Sequence, residues 1–393
     1  MRPNGGHSEV LEADEENIPH LDDVSDRAVT HSEYRLRRSS LPRRDGQGRR
    51  RGQASALLLA TCLLCACSGS SRTPVEHADS SPPTRTSIPP PARNAPQPAG
   101  TEPFVAGTFD LNVVGEASGL AVSVRNPGVV YVLDDGPGST GVLAIDVADD
   151  SATRLTVDGL DGRDTEGLAV GACGRRTERT CLYIGDIGNN QGAWSSVDVW
   201  RLREPDLAGA PARRTVEGDV ATYTYPDEAV NAETLLVDEG RPHLVTKPPR
   251  RSSDAGTAPP RLLGARRFAD GRLRDLGAID LPAPDGVGIA AAVVGNVVTG
   301  GEMAGGRVIL RTYDHVLIYT PPQPGAPLRT LRRWTPREVD TPRMTQGEAV
   351  TMDGCGIWLV SEQVDSIWLV PWRSQTLEDD LQEEACPIGS AHL

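Results

Sequence analysis

The 393-residue sequence lacks the motifs that mark several common classes of enzyme. It contains no G-x-S-x-G nucleophile elbow, no P-loop, no glycine fingerprint for dinucleotides and no H-E-x-x-H zinc motif. These absences argue against the corresponding chemistries and against a nucleotide cofactor. An amphipathic helical pattern of normal length is also missing, so the apolar residues must be sought in strands.

Positive charge is scarce as well. The chain has 40 Lys and Arg residues against 54 Asp and Glu, a net charge of −14, and Lys247 is its single lysine. Residues 1–53 carry equal numbers of arginines and acidic residues, so the whole deficit belongs to the remainder of the chain. An acidic domain repels nucleic acid and anionic lipid headgroups and attracts cations, which excludes nucleic acid as a partner.

One apolar run near the N-terminus has the features of an export signal. Residues 54–66 are apolar and follow the basic residues Arg49–Arg51, and the run is too short to remain as a membrane-spanning helix. The sequence Leu64-Cys65-Ala66-Cys67 resembles the bacterial lipobox, in which a small residue precedes the lipidated cysteine. We therefore expect lipid attachment at Cys67, with a plain signal peptide cut nearby as the alternative.

This signal divides the chain into four parts. Residues 1–48 are polar and are either a disordered leader or the result of a start codon assigned too early. Residues 49–67 form the predicted lipoprotein signal peptide, and residues 68–101 are a tether rich in Pro, Ser and Thr. Residues 102–393 form the predicted folded domain, which would lie outside the cytoplasm, anchored to the cell membrane through Cys67.

Four cysteines remain in the exported domain: Cys173, Cys181, Cys355 and Cys386. An even number of cysteines in an oxidising compartment predicts two disulfides. Three pairings are possible, and the local spacing favours Cys173–Cys181 and Cys355–Cys386.

A pattern of hairpins recurs along the domain. Each unit begins with a glutamate and a short apolar strand, turns at a glycine, and ends with a second apolar strand and a polar residue. The five glutamates are Glu116, Glu166, Glu233, Glu302 and Glu348. This repeat predicts an all-β fold, a β-propeller of five to six four-stranded blades. A sixth blade would come from residues 288–298 or from pairing of the two ends of the domain.

In a propeller blade the first strand lines the channel and the second runs antiparallel to it, so these repeats predict an acidic channel mouth. The predicted metal ligands are Glu116, Asp135, Glu166, Asp186, Glu233, Glu302 and Glu348. The predicted ligand-binding residues beside them are Lys247, Arg311, Tyr313 and Glu362. Crowded carboxylates need a cation or shared protons, and their hard oxygens favour Ca²⁺ or Mg²⁺. Alternatively, each glutamate accepts backbone N–H groups or pairs with an arginine in a purely structural role.

The sequence resembles the actinobacterial secreted β-propeller lipoproteins and is distantly similar to NHL, gluconolactonase-like and phytase-like propellers. The resemblance covers about residues 115–372. The residues that carry it are Glu116-Ala-Ser-Gly-Leu-Ala, Asp164-Thr-Glu-Gly-Leu-Ala169, Tyr183-Ile-Gly-Asp-Ile-Gly-Asn-Asn190, Val199-Trp-Arg-Leu-Arg-Glu-Pro205, Ala232-Glu-Thr-Leu-Leu-Val237, Arg311-Thr-Tyr313 and Gln346-Gly-Glu-Ala349.

The resemblance also implies which residues could bind a metal. In gluconolactonase-like propellers a glutamate at a strand start binds the metal, which would correspond to Glu116 or Glu166. The chain departs from the family pattern at Thr165, where a tryptophan is usual, and at Asn189, where an aspartate is usual. The second departure removes one carboxylate from the possible metal ligands.

Two functions are consistent with these patterns. The first is a binding propeller of the cell envelope, whose acidic mouth holds a cation, a small molecule or an envelope protein. The second is a Ca²⁺-dependent hydrolase of phosphoesters or lactones, in which the ion polarises the substrate. No residue of the sequence identifies a catalytic base.

The lipid anchor can be tested directly. Cys67→Ala should release the protein from the membrane fraction or leave an unprocessed precursor, because lipid transfer requires the cysteine thiol. Detergent phase partitioning and the mass of the mature protein measure both outcomes. A variant that matures and partitions like the wild-type protein would contradict the lipobox assignment.

Overall fold

The computed structural model describes residues 102–247, 258–283, 297–375 and Cys386, and their regular structure is almost entirely β. Two short 3₁₀ helices, Leu328–Arg333 and Trp372–Ser374, interrupt the strands. Among the described residues, no helix is long and apolar enough to cross a membrane. The predicted leader, signal peptide and tether, with Cys67, lie outside the described residues.

Strands β1–β22, numbered along the chain, form five blades within the described residues. The inner strands are β2 (Ala117–Val122), β6 (Thr165–Ala172), β11 (Asn231–Asp238), β16 (Val298–Ala304) and β20 (Gly347–Met352). The second strands are β3 (Val129–Asp134), β7 (Thr180–Asp186), β12 (Arg241–Lys247), β17 (Arg307–Thr312) and β21 (Gly356–Ser361). The third strands are β4 (Gly141–Asp146), β8 (Ser196–Arg203), β13 (Arg261–Gly264), β18 (Val316–Tyr319) and β22 (Ser366–Pro371). The outer strands are β5 (Ser151–Val157), β10 (Asp219–Thr224), β15 (Arg274–Ala278), β19 (Pro336–Val339) and β1 (Phe104–Thr108).

Pairing of the two ends of the domain closes the ring. The N-terminal strand β1 is antiparallel to β22 and completes the fifth blade, with Phe104 opposite Leu369. The predicted pairing of the ends therefore exists, but it completes the fifth blade instead of forming a sixth. Residues 288–296 of the other segment suggested for a sixth blade lie outside the described residues, and Val298 begins the inner strand of blade four.

Two further strands connect neighbouring blades. Strand β9 (Arg213–Val216) follows β8 of blade two but pairs in parallel with β5 of blade one. Strand β14 (Gly271–Arg272) follows β13 of blade three but pairs in parallel with β10 of blade two. In both cases the chain reaches back to the preceding blade before it completes its own, so the outer edges of blades one and two are covered.

The hydrophobic core consists of five clusters, one at each contact between adjacent blades. Between blades two and three, for example, Tyr183 and Val199 pack with Leu235 and Leu244. The strands are buried on both faces between neighbouring blades, which explains their continuous apolar runs. Trp358 is fully buried between blades five and one.

Every inner strand contains a β-bulge close to its start. The register with the second strand shifts by one residue at each of these points. The extra residues are Ser118, Glu166, Glu233, Thr299 and Glu348. Because a bulge redirects a side chain and interrupts the alternation of the strand, these five positions are structurally equivalent.

Both predicted disulfides are confirmed. Cys173 bonds to Cys181 across the turn between β6 and β7, and Cys355 bonds to Cys386 and ties the C-terminal segment to the last blade. Two disulfides in one domain indicate an oxidising, extracytoplasmic compartment.

A buried carboxylate joins blade two to blade one. Glu204, which follows β8, is 2% exposed and accepts hydrogen bonds from Ser123 Oγ (2.5 Å), Val124 N (3.1 Å) and Arg125 N (3.2 Å). The hydroxyl of Tyr131 also donates to it at 3.3 Å. These donors all come from the β2–β3 hairpin, so Glu204 fixes the turn of one blade against the end of a strand in the next.

We expect Glu204→Ala to lower the free energy of unfolding by about 3 kcal/mol or more, because several buried donors lose a charged acceptor. Asp206→Asn is the matched control, since the Asp206 side chain is 65% exposed, pairs with exposed Arg125 and accepts the exposed N–H of Ala208. That change should cost less than about 1 kcal/mol. Denaturant unfolding measures both variants. Equal losses of stability would contradict the role of Glu204 in joining blade two to blade one.

Candidate functional site

The starts of the inner strands and the ends of the second strands meet at one end of the channel. We call this end the acidic mouth, and its members are Glu116, Asp135, Asp164, Glu166, Glu233, Lys247, Glu348 and Glu362. The bulges deliver Glu166, Glu233 and Glu348, while Asp135 and Glu362 follow the second strands of blades one and five. The electrostatic influence that these groups exert on one another shows that they share one small region.

Three carboxyl groups form the centre of the mouth. One oxygen from each of Asp135, Asp164 and Glu166 lies within 4.8 Å of the others, and we call this set the carboxylate cluster. Glu166 is 6% exposed, whereas Asp135 and Asp164 are only partly buried, so solvent reaches one side of the cluster. The side chains of Asp135 and Asp164 lie close enough that each alters the pKa of the other.

Crowding of these acids raises their pKa values. Burial, the charge of Asp164 and the hydrogen bond to it together raise the pKa of Asp135 to about 8. Burial, followed by the charges of Glu233, Asp135 and Asp164, raises the pKa of Glu166 well above its usual range. In the absence of a cation the cluster therefore holds protons at neutral pH.

Lys247 is the positive charge next to the cluster. Its ammonium forms an ion pair with Glu233, and both side chains are almost fully buried. The amide of Asn231 donates to the other oxygen of Glu233 at 3.0 Å, and its own oxygen accepts the backbone N–H of Asn189 at 2.6 Å. Burial raises the pKa of Glu233, and Lys247 acts in the opposite direction. The charge of Lys247 thus balances the carboxylate of Glu233, and the three carboxyls of the cluster have no such partner in Lys247.

Glu348 occupies the bulge of blade five at the edge of the mouth. The hydroxyl of Tyr313 donates to its Oε1 at 3.1 Å. Burial and the charge of Glu233 raise the pKa of Glu348 to about 7, against the effect of Lys247. Glu362 accepts a hydrogen bond from Gln346 at 2.7 Å, and burial and the charge of Glu116 raise its pKa. Glu348 is thus a carboxyl that changes protonation near neutral pH beside the cluster.

Asp186 supports the cluster from behind. Its Oδ1 accepts the backbone N–H groups of Arg163 (3.0 Å) and Asp164 (2.8 Å), and its Oδ2 accepts Arg163 Nε at 2.7 Å. Both oxygens are therefore engaged in holding the loop that carries Asp164. Asp186 is not among the three carboxyls of the cluster, its contacts position Asp164, and its assignment as a metal ligand stays a prediction.

Arg163 also contacts the exposed aromatic residue of this face. Its guanidinium lies 5.2 Å from the ring centroid of Trp194, which is 41% exposed. Asn189 fixes the loop by bonding the backbone of Trp194 twice, through Nδ2 to the carbonyl (3.0 Å) and through Oδ1 from the N–H (3.1 Å). Asn189 therefore holds the loop that presents the indole of Trp194 at the acidic mouth.

Two predicted residues lie elsewhere or act differently. Glu302 was expected at the acidic mouth, but the bulge of blade four contains Thr299, and Glu302 follows three positions later. It contacts Val170 N (2.8 Å) and Thr351, further along the channel. Arg311 was expected to bind ligand, but it is 5% exposed and donates to the carbonyls of Ala349 and Val360 at 3.3 Å.

Glu116 is a third displaced residue. The bulge of blade one contains Ser118, and Glu116 is an exposed residue just before the strand. Its charge still reaches Asp135 and Glu362, so it belongs to the rim of the mouth. The two hydroxyl residues that replace glutamate in the bulges, Ser118 and Thr299, each donate at 2.8 Å to a backbone carbonyl of the next inner strand.

Asp164 belongs to the cluster but was not among the predicted metal ligands. It lies in the loop before β6, and its position depends on close contact with Gly188, where a Cβ would come within 2.2 Å of the carboxyl carbon. The sequence did contain a signal, because Asp164-Thr-Glu166 places two acids two residues apart at a strand start.

The donor set of the cluster suits a hard divalent cation. Its ligands are carboxylate oxygens from three side chains, which Ca²⁺ and Mg²⁺ prefer, whereas zinc sites use His and Cys. Ca²⁺ accepts six to eight oxygens in flexible geometry, so three carboxylates leave positions for water or a ligand.

Comparisons with known proteins identify no family for this sequence. No protein-family model matches the sequence, and no curated protein matches it. Among solved structures, the major allergen Mala s 1 of Malassezia sympodialis is similar with a TM-score of 0.42 and 9% identity, over 72% of this chain and 98% of that one. A putative oxidoreductase (glucose dehydrogenase) from Thermus thermophilus has a TM-score of 0.35 and 11% identity, over 69% and 99%. A nidogen/laminin complex has a TM-score of 0.35 and 15% identity, over 67% and 80%.

The raised pKa of Asp135 predicts that the stability of the protein depends on pH. The pKa of Asp135 is about 8 in the folded protein and 3.8 ordinarily, so between these values the folded state keeps a proton that the unfolded state has released. Its contribution to stability therefore falls as pH rises from 5 to 8. Asp135→Asn cannot ionise, so its melting temperature relative to wild type should rise over the same interval.

Thermal unfolding in the presence of EDTA at pH 5 and pH 8 measures this difference. Glu217→Gln, at an exposed position, is the control and should differ from wild type equally at both pH values. A pH-independent difference for Asp135→Asn would contradict the raised pKa.

Proposed function

We propose that this protein is a lipid-anchored β-propeller of the cell envelope whose acidic mouth binds Ca²⁺ and, through the ion, an extracellular ligand. The observation that carries the proposal is the convergence of Asp135, Asp164 and Glu166 within 4.8 Å. Burial raises the pKa of all three, so a divalent cation that replaces their protons relieves the repulsion between them.

The surroundings of the cluster support an ion rather than an internal ion pair. Lys247 is already in contact with Glu233, and Arg163 is in contact with Asp186 and Asp198. These basic groups each have a carboxylate partner of their own. Neither basic group is thus available to the cluster, whose protons a cation can replace.

The openness of the mouth supports a ligand beyond the ion. Asp135 and Asp164 are partly exposed, and Trp194 presents an indole on the same side of the ring. An aromatic surface beside a cation with open coordination positions suits a ligand that has both oxygen donors and an apolar face.

A second candidate function is Ca²⁺-dependent hydrolysis, and Glu348 favours it. A carboxyl with a pKa of about 7, positioned by Tyr313 and separate from the cluster, is suited to general-base catalysis. A bound ion would supply Lewis acidity to a substrate carbonyl. A lactone fits better than a phosphoester, since Lys247 and Arg311 are both engaged within the protein. Only a hydrolase would turn over a lactone in a Ca²⁺-dependent reaction.

Calcium binding is tested by stability. Ca²⁺ at 100 times its Kd should stabilise the metal-free protein by about 2.7 kcal/mol, because it binds the folded state alone. Glu166→Gln should abolish most of this shift, since it removes one carboxylate of the cluster. Thermal unfolding across a Ca²⁺ titration measures both.

Glu178→Gln is the control, because Glu178 is an exposed residue of the Cys173–Cys181 loop and should leave the shift intact. A wild-type protein whose melting temperature is indifferent to Ca²⁺ would favour the structural alternative, in which protons and Lys247 balance the acids. A shift of equal size in Glu166→Gln would place the ion elsewhere.

A further inference from the structure

A cavity lies at the end of the channel opposite the acidic mouth. It has a volume of about 580 Å³ and forms where all five inner strands end. Its apolar walls include Val122, Val170, Val237, Met303 and Met352. We call it the lower cavity, and its volume falls within the range of about 300–1,000 Å³ that is typical of small-molecule sites.

A single buried glutamate projects among these walls. Glu302 is 2% exposed and lines the cavity. Its Oε1 accepts the backbone N–H of Val170 at 2.8 Å, and its Oε2 accepts the hydroxyl of Thr351. Both hydrogen bonds fix the carboxyl, but neither donor carries a positive charge.

The other charges around this end do not compensate Glu302. Burial raises its pKa to about 8, and the charges of Glu204 and Asp353 raise it further. The acids at the rim, Asp238 and Glu239, are paired with Arg241 at 2.7 and 3.0 Å. Arg307 also lines the cavity, at the turn that follows β16, and it has interactions of its own.

We propose that the lower cavity binds a small organic ammonium ion, with its nitrogen against Glu302 and its hydrocarbon part against the valine and methionine side chains. An ammonium group supplies the positive charge and the N–H donors that a buried carboxylate requires. The apolar walls then bury the remainder of the ligand.

Other ligand classes fit the lower cavity less well. A divalent metal needs several oxygen ligands, and among the described residues no group of three acidic side chains gathers at this end of the channel. An anion would be repelled by Glu302, Glu204 and Asp353. A neutral molecule would leave the carboxyl without a counter-charge. This proposal does not depend on the function of the acidic mouth, because the two sites share no residue.

Isothermal titration of the mature wild-type protein with phenethylammonium at pH 8.5, above the pKa of Glu302, tests the proposal, with 2-phenylethanol as the neutral analogue of the same shape. We expect saturable binding of the ammonium and at least tenfold weaker binding of the alcohol. Glu302→Gln preserves the shape and the acceptor for Val170 N, so it should weaken ammonium binding at least tenfold and leave the alcohol unchanged.

Two further variants locate the site. Asp135→Asn, in the acidic mouth, should leave ammonium binding unchanged. Ala172→Leu, which adds bulk at a partly exposed wall position without touching Glu302, should weaken binding of both compounds. This second variant also decides the matter if Glu302→Gln fails to fold. Absence of saturable binding, equal affinity in Glu302→Gln, or a loss confined to Asp135→Asn would each overturn the proposal.

Discussion

The narrowness of the channel is the constraint on which the site depends. Five inner strands begin at one mouth, and each carries a bulge there that redirects one side chain. Whatever occupies these five positions is therefore brought together, and like charges among them repel across a few ångströms. Two bulges contain hydroxyl residues, Ser118 and Thr299, whose side chains donate to the next inner strand. The negative charge is thereby concentrated in one sector of the ring, around Asp135, Glu166 and Glu233.

Concentration of charge in one sector explains why the single lysine is located there. Lys247 ends the second strand of blade three, directly opposite Asn231, and is in contact with Glu233. An ammonium at this point lowers the pKa of Glu166, Glu233 and Glu348 and makes the crowding of acids tolerable without removing it.

Much of the fold could be predicted from the sequence, because its determinants are local. Each hairpin has its own apolar strands and glycine turn, and each disulfide closes a short or terminal segment. The sequence predicts five to six blades and no exact number, because the partner of β1 cannot be read from β1 itself. Strands β9 and β14 were not foreseen for the same reason, since each pairs with the blade before its own.

The site was predicted less completely, and the bulges explain most of the error. A bulge inserts one residue without changing the apolar character of a strand, so aligning the five glutamates gave the wrong equivalence in two blades. Thr299, not Glu302, occupies the bulge of blade four, and Ser118, not Glu116, occupies that of blade one. Asp164 was missed because its place depends on the close approach of Gly188, a contact between two loops.

The displaced Glu302 shows how the same residue type serves different chemistry at the two ends of one channel. At the acidic mouth, several partly solvated carboxylates stand together, and a small divalent ion can satisfy them while keeping some of its water. At the lower end, one carboxylate is enclosed by valine and methionine side chains, where hydration is lost and a compact metal ion would find too few oxygens. A cation that carries its own apolar surface satisfies both the charge and the walls. The three-residue displacement of Glu302 from the bulge of its strand thus removes it from the carboxylates of the acidic mouth and places it beside the valine and methionine side chains of the lower cavity.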